Sequence, residues 1–289
     1  MTHKTLLLQE ELVSLKSPLI MGIVNVSSDS FYTGSRVYDE PDLLAKTRKM
    51  IDGGANIIDV GAVSTRPGAV MPSLAREWEL LAPVLFSIRN NFGNIPISVD
   101  TTRARIAEMA VKEFGVGMIN DISGGSFDPD MFDTVARLKI PYVLMHMRGT
   151  PENMQQYTDY DNIVHDMIWY FVEKIEMLHE LGVSDIIVDP GFGFAKTLEQ
   201  NYEVLHRLQH FLALNKPLLV GLSRKSMIWK LLNIAPEEAL NATTALHTIA
   251  LMNGASILRV HDVAEARQCV DVFMALQGKQ STQHEADNK

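Results

Sequence analysis

A single cysteine, Cys269, stands in a chain of 289 residues. One thiol excludes an internal disulfide framework and a cysteine-based zinc site. No apolar run approaches the ~18 residues that a membrane-crossing helix needs. Between Met1 and Pro18 only Leu6-Leu7-Leu8 precedes Gln9, Glu10 and Glu11, too little for the apolar region of a secretion signal. Positive charge is scarce: 26 Lys and Arg face 35 Asp and Glu, a net charge of −9, which speaks against a broad nucleic-acid surface. No Gly-x-Ser-x-Gly nucleophile elbow occurs. The run Pro190-Gly191-Phe192-Gly193-Phe194-Ala195-Lys196-Thr197 approximates a phosphate loop but has Pro190 and Ala195 where that loop requires glycine. His206 and His210 stand four apart with no third ligand in sequence, and are expected on a surface. What is present is the composition of a soluble globular protein, 46% hydrophobic and 21% charged. The expectation is a cytoplasmic chain with no nucleic-acid and no membrane partner.

Short β-branched runs alternate with amphipathic stretches throughout. Eight runs read as strands: 18–26, 55–61, 96–100, 117–122, 141–147, 185–189, 217–222 and 256–260. Runs such as Ile186-Ile187-Val188 are apolar on both faces, as strands covered on both sides must be. Between them lie eight helical stretches: 42–51, 74–89, 103–112, 130–138, 161–181, 199–214, 237–252 and 263–276. The clearest, 161–181, carries Val164, Ile168, Phe171, Ile175 and Leu178 at steps of four and three, with Gly182 to terminate it. Eight strand–helix units in this length predict one (β/α)8 barrel over residues 18–277, with a doubly wound sheet as the alternative. Residues 1–17 form an N-terminal extension in this reading. Residues 278–289 are polar and are expected to be a disordered tail.

In such a barrel the chemistry belongs where strands end, and every strand here ends in polar residues. A lone Asp after a strand is usually a helix cap, so Asp100 and Asp189 have that plainer reading; eight polar strand ends together do not. Asp100, Asn120 and Asp189 are acceptor-rich and suit a flat nitrogen heterocycle presenting N–H groups. Phe194 and Met145 suit its faces, and Lys225 a ring carbonyl. Arg66, Arg224, Lys225, Arg259 and His261 form a cationic set that suits a phosphate or diphosphate, with surface ion pairs as the plainer reading for Arg66 and for Arg259-Val260-His261. Asn25 is a neutral oxygen donor suited to a hard cation such as Mg²⁺ shared with diphosphate oxygens.

Taken together, Met21–Val26, Asp59–Ala69, Ser98–Thr101, Asn120–Gly125, Asp189–Phe194, Gly221–Ser226 and Arg259–Asp262 resemble the dihydropteroate synthases, in family order, from about Pro18 to Leu276. The resemblance implies a (β/α)8 barrel, usually a homodimer. It implies that p-aminobenzoate is joined to 6-hydroxymethyl-7,8-dihydropterin diphosphate with release of diphosphate, in folate synthesis, and that sulfonamides compete. It assigns Asp100, Asn120, Met145, Asp189, Phe194, Gly221 and Lys225 to the pterin. Asn25, Arg66, Arg259 and His261 go to diphosphate, with Asn25 as the Mg²⁺ ligand. Phe31, Thr65, Pro67, Phe194 and Ser223 go to aminobenzoate. Asp100, Lys225, Arg259 and His261 are the expected catalytic groups, with Asp100 stabilising the pterin cation. The first loop departs from the family at Ser28 and at Tyr32-Thr33, the second at Val63 where Glu is usual. A pterin-dependent methyltransferase barrel or a non-catalytic pterin-binding relative are the alternatives; the Ser223-Arg224-Lys225 and Arg259-Val260-His261 motifs argue against the first.

Overall fold

The chain begins with an antiparallel hairpin, β1 (Thr5–Leu8) and β2 (Glu11–Ser14), inside the segment expected to be an extension. The computed structural model describes residues 5–9, 11–26, 39–63 and 71–278. Most of the polar tail expected from 278 onward lies outside them. Every second residue of β1 points inward, so Leu6 and Leu8 are buried while Thr5 and Leu7 are exposed. Both pack on Leu19, Ile57, Met118, Val143, Ile187, Leu219 and Ile257, the apolar floor of a barrel. The Leu7 N–H donates to Asp185 Oδ2 at 3.1 Å, and Gln9 Nε2 to the Gly115 carbonyl at 3.0 Å. An isolated two-stranded hairpin is marginal in water; this one is held by what it covers.

The barrel strands are β3 (Leu19–Asn25), β4 (Ile57–Gly61), β5 (Ile97–Asp100), β6 (Met118–Asp121), β7 (Tyr142–Met145), β8 (Ile186–Asp189), β9 (Leu219–Val220) and β10 (Ile257–Val260). They match the eight apolar runs. All pairings are parallel, in the order β8-β7-β6-β5-β4-β3-β10-β9. A parallel bridge between Val188 and Leu218 joins the two ends, with Val188 N–H donating to the Pro217 carbonyl at 2.9 Å. The fold is a (β/α)8 barrel.

Helices α1 (Glu40–Asp52), α2 (Leu74–Phe92), α3 (Ala104–Phe114), α4 (Met131–Leu138), α5 (Ile163–Glu180), α6 (Leu198–His206), α7 (Ser226–Leu232), α8 (Leu240–Met252) and α9 (Val263–Leu276) surround it. Outward strand residues such as Ile58, Val60, Val99, Ile119, Leu144 and Val188 pack under them. On α5 the buried stripe is Ile163, Val164, Met167, Phe171, Ile175 and Leu178, and Asn162 caps the first turn by accepting from His165 N–H. Two helical expectations need correction. The stretch 199–214 divides into α6 and a 3₁₀ segment, Leu208–Leu214; a Thr197–Gln200 capping box sets its start. The stretch 237–252 opens with a 3₁₀ turn, Pro236–Ala239, before α8. Helix α7 lies between the expected strand 217–222 and the expected helix 237–252, where no element is expected, since two turns give too short an apolar stripe to read.

Candidate active site

The two-residue period of a strand decides which groups reach the barrel mouth. On β4, Ile58 and Val60 belong to the outer core, so Asp59 and Gly61 face inward. The strand register then lays the last inward residues side by side: Asn25 beside Gly61, Gly61 beside Asp100, and Asp100 beside Asn120. Across the mouth Met145 lies beside Asp189. A Cβ on Gly61 would stand 3.1 Å from that of Asp100, so glycine there leaves Asp100 its space.

Arg259 is the centre of an ionic cluster. Its Nε donates to Asp59 Oδ2 and its Nη2 to Asp100 Oδ2, both at 2.7 Å. Asn120 Nδ2 donates to the same Asp59 oxygen at 3.2 Å. Asp59 is fully buried, and its other oxygen, Oδ1, has no hydrogen-bond partner. Burial pushes the Asp100 carboxyl up to about 7; Asp59 adds to the rise and Arg259 opposes it. Its other neighbours are elsewhere engaged. Ala104 N–H is taken by Asp128 Oδ2 at 2.8 Å, so Asp100 does not cap α3. Thr101 donates to the buried Glu77 at 2.6 Å, which also pairs with Arg103.

The opposite wall is a turn after β8. Asp189 Oδ1 accepts from Gly191 N–H at 2.7 Å, and burial raises its carboxyl above the usual range. Thus Asp189 shapes a turn and still faces the mouth, while Thr197 caps α6. Lys225 places its Nζ 4.5 Å from the centre of the Phe194 ring. Burial, with Arg259 nearby, pulls Lys225 down to about 8. Asn120, Met145, Asp189, Phe194, Gly221, Lys225 and Arg259 line one narrow cavity. Five of these, Asn120, Asp189, Phe194, Lys225 and Arg259, are polar or aromatic groups able to grip a flat ring by edge and face.

At the rim, Ser223 Oγ accepts from His261 N–H at 3.2 Å and lies 3.1 Å from His261 Nδ1. Desolvation and the adjacent Arg259 hold the His261 imidazole down to about 4, so the ring is neutral at pH 7. Asn25 is exposed and shares a cavity of roughly 720 Å³ with His261, Lys46 and Lys49.

A family model described as pterin binding enzyme matches residues 21–261. The chain belongs to the pterin-binding enzyme family. It is 43% identical over 264 residues to the dihydropteroate synthase of Synechocystis sp., spanning 90% of this chain and 91% of that one. It is 41% identical over 276 residues to that of Escherichia coli K12, spanning 94% and 97%. It superposes on the Yersinia pestis dihydropteroate synthase in complex with a sulfonamide drug with a TM-score of 0.88 and 36% identity, covering 95% of this chain and 100% of the other. The Xanthomonas albilineans dihydropteroate synthase with 4-aminobenzoic acid gives 0.87 and 34%, covering 96% and 99%.

Against this pterin-binding fold, the structure brings together Asp100, Asn120, Met145, Asp189, Phe194, Gly221, Lys225 and Arg259, with Ser223, His261 and Asn25 at the rim. Phe31, Thr65, Arg66 and Pro67 lie outside the described residues. Arg224 does not join the cationic set: its guanidinium grips Asp262 through two bonds of 2.8 Å and the Glu237 carbonyl at 3.1 Å. His206 and His210 are exposed. Cys269 is buried in α9. Asp59 was not singled out in sequence. Its signal was there: an Asp in mid-strand, at inward parity, amid Ile57, Ile58 and Val60.

Proposed function

We infer that the chain is a dihydropteroate synthase. It joins p-aminobenzoate to 6-hydroxymethyl-7,8-dihydropterin diphosphate, yielding 7,8-dihydropteroate and diphosphate for folate synthesis. The observation that carries this is identity above 40% with dihydropteroate synthases across nine-tenths or more of the chain. The mouth supports it chemically. Asp100, Asn120 and Asp189 accept from the N–H edge of the pterin, and Lys225 donates to its carbonyl. Met145 and Phe194 hold its faces. Arg259 and His261 sit where diphosphate departs. His261, neutral in the free chain, is a hydrogen-bond donor whose proton affinity rises as an anion approaches.

In the reaction the methylene C–O bond breaks and diphosphate leaves with the electron pair. Asp100 stabilises the charge that grows on the pterin. The aryl amine attacks the methylene, the C–N bond forms and the amine loses a proton. The protein's contribution is positioning and charge. Among the described residues no group of three His, Cys, Asp or Glu can enclose a metal. The neutral oxygen of Asn25 would suit a hard cation such as Mg²⁺ whose other ligands the protein does not supply. Asn25 would hold such an ion, whose chemistry there would be to neutralise charge on the leaving group.

Phe31, Thr65, Pro67, Phe194 and Ser223 are proposed to hold aminobenzoate, and Arg66 diphosphate, with sulfonamides competing for the aminobenzoate place. The working form is proposed as a cytoplasmic homodimer. Exposed Leu231, Leu232, Ile249, Met252, Val272 and Leu276 on α7, α8 and α9 support a second copy as partner. Among the described residues no helix is long and apolar enough to cross a membrane. The test is diphosphate release from the pterin diphosphate with and without p-aminobenzoate. Aminobenzoate-dependent release inhibited by a sulfonamide supports the reading. Tight pterin binding without release would favour a non-catalytic relative. Light scattering of the purified chain tests the dimer.

A further inference from the structure

The phosphate-loop-like run Pro190–Thr197 contains a lysine that the reaction does not use. Lys196 is 3% exposed. Its Nζ donates to the Gly191 and Phe194 carbonyls, each at 3.0 Å, and lies 3.3 Å from His146 Nδ1. None of the three partners is charged, since burial holds the His146 imidazole well below its usual range. Burial pulls Lys196 down to about 7, so near neutral pH its head is divided between amine and ammonium; three acceptors meet the three donors of the ammonium form.

Gly191 and Phe194 line the pterin pocket, and His146 adjoins its wall through Met145. His146 follows Met145 at the end of β7, and its N–H donates to the Asp189 carbonyl at 3.0 Å. Gly191 supplies the N–H that fixes Asp189 Oδ1. Phe194 carries the ring beneath Lys225. Gly191 has φ +67°, and a Cβ there would stand 2.3 Å from the His146 carbonyl, so the turn is pressed against β7 backbone to backbone. Nζ ties both sides of that contact together. We propose that Lys196 is a positioning residue whose amino head locks the 191–194 turn against β7 and so presents Asp189 and Phe194 to the pterin. The proposal rests on the pterin reading of this pocket and adds the residue that sets its geometry.

Two variants test it. Lys196→Met keeps the length and removes every donor. Lys196→Gln keeps two N–H groups. The readouts are KM and kcat for pterin diphosphate at saturating p-aminobenzoate, the Kd for pterin diphosphate by calorimetry, and Tm. The expected result is a Kd and KM more than tenfold higher for Lys196→Met, with Lys196→Gln in between and kcat within threefold of wild type for both. A lowered Tm with unchanged Kd would overturn the proposal, because a purely structural lysine moves only stability. So would a loss confined to kcat. If Lys196→Met fails to fold, Lys196→Gln decides on the same split, with a Kd raised at least threefold expected and an unchanged Kd overturning the proposal. Wild-type protein without aminobenzoate-dependent diphosphate release would instead sink the synthase reading itself.

Discussion

Replacing Asp100 by Asn removes a charge and almost no volume, and it should move stability and turnover in opposite directions. The Asp100 carboxyl titrates near 3.8 in an unfolded chain and is raised to about 7 in the fold. Roughly three pKa units at 1.36 kcal/mol each give a linkage of about 4 kcal/mol. Because the folded value is the higher one, the native chain keeps a proton that the unfolded chain has released. The associated stability is fully present below about pH 4 and is lost as pH rises through 7. The Asn variant carries no such proton. Its stability advantage over wild type should grow from near zero at pH 4 to as much as about 4 kcal/mol by about pH 9. Turnover should fall by ~10²–10³, the usual loss when one preorganised charge-stabilising group is removed. Parallel urea unfolding across pH, with kcat at pH 8, checks both. Equal turnover would refute Asp100 as the group facing the developing cation. A stability difference independent of pH would refute its raised pKa.

Lys225→Ala should raise KM for both pterin diphosphate and p-aminobenzoate, roughly tenfold or more for a charged hydrogen bond of ~1.5–3 kcal/mol; steady-state kinetics with each substrate varied will show it. Since Lys225 is pulled down to about 8, its charge is lost as pH rises past that value, and wild-type pterin affinity should weaken between about pH 7 and 9.5 while that of Lys225→Arg stays flat. Leu6→Ala, on the hairpin beneath the barrel, should cost ~2–5 kcal/mol in chemical denaturation and leave both KM values unchanged. Gly191→Ala meets a positive φ and a carbonyl 2.3 Å from its Cβ; a lowered Tm together with a raised pterin KM is expected, and wild-type values of both would contradict the packing of that turn on β7.

The barrel was legible because its strands are covered on both faces and read as apolar runs, while α5 shows its stripe over five turns. The hairpin was not, because Leu6-Leu7-Leu8 has meaning only against a floor made by seven distant strands. Helix α7 spans only about two turns, and the breaks at 207 and 239 are local, so none displays a repeating apolar stripe. At the site, residue type and strand end sufficed for Asp100, Asn120, Asp189, Lys225 and Arg259. They failed for Arg224, whose partner Asp262 lies 38 positions away, and for Lys196, whose three acceptors come from two walls.

The same strand period explains why a chain of net charge −9 can hold a diphosphate. Inward residues at the bottom of the barrel are Leu19, Ile57, Met118, Val143, Ile187, Leu219 and Ile257, sealed by Leu6 and Leu8. That dry floor is what desolvates Asp59, Asp100, Asp189, Lys225 and Arg259 one or two layers above it. Desolvation shifts the two lining carboxyls, Asp100 and Asp189, up and the lysine down, so each group gains more from a bound partner than it would in water. The apolar floor and the polar mouth are therefore one device. A change that wets the floor should weaken substrate binding without touching any residue that meets the substrate.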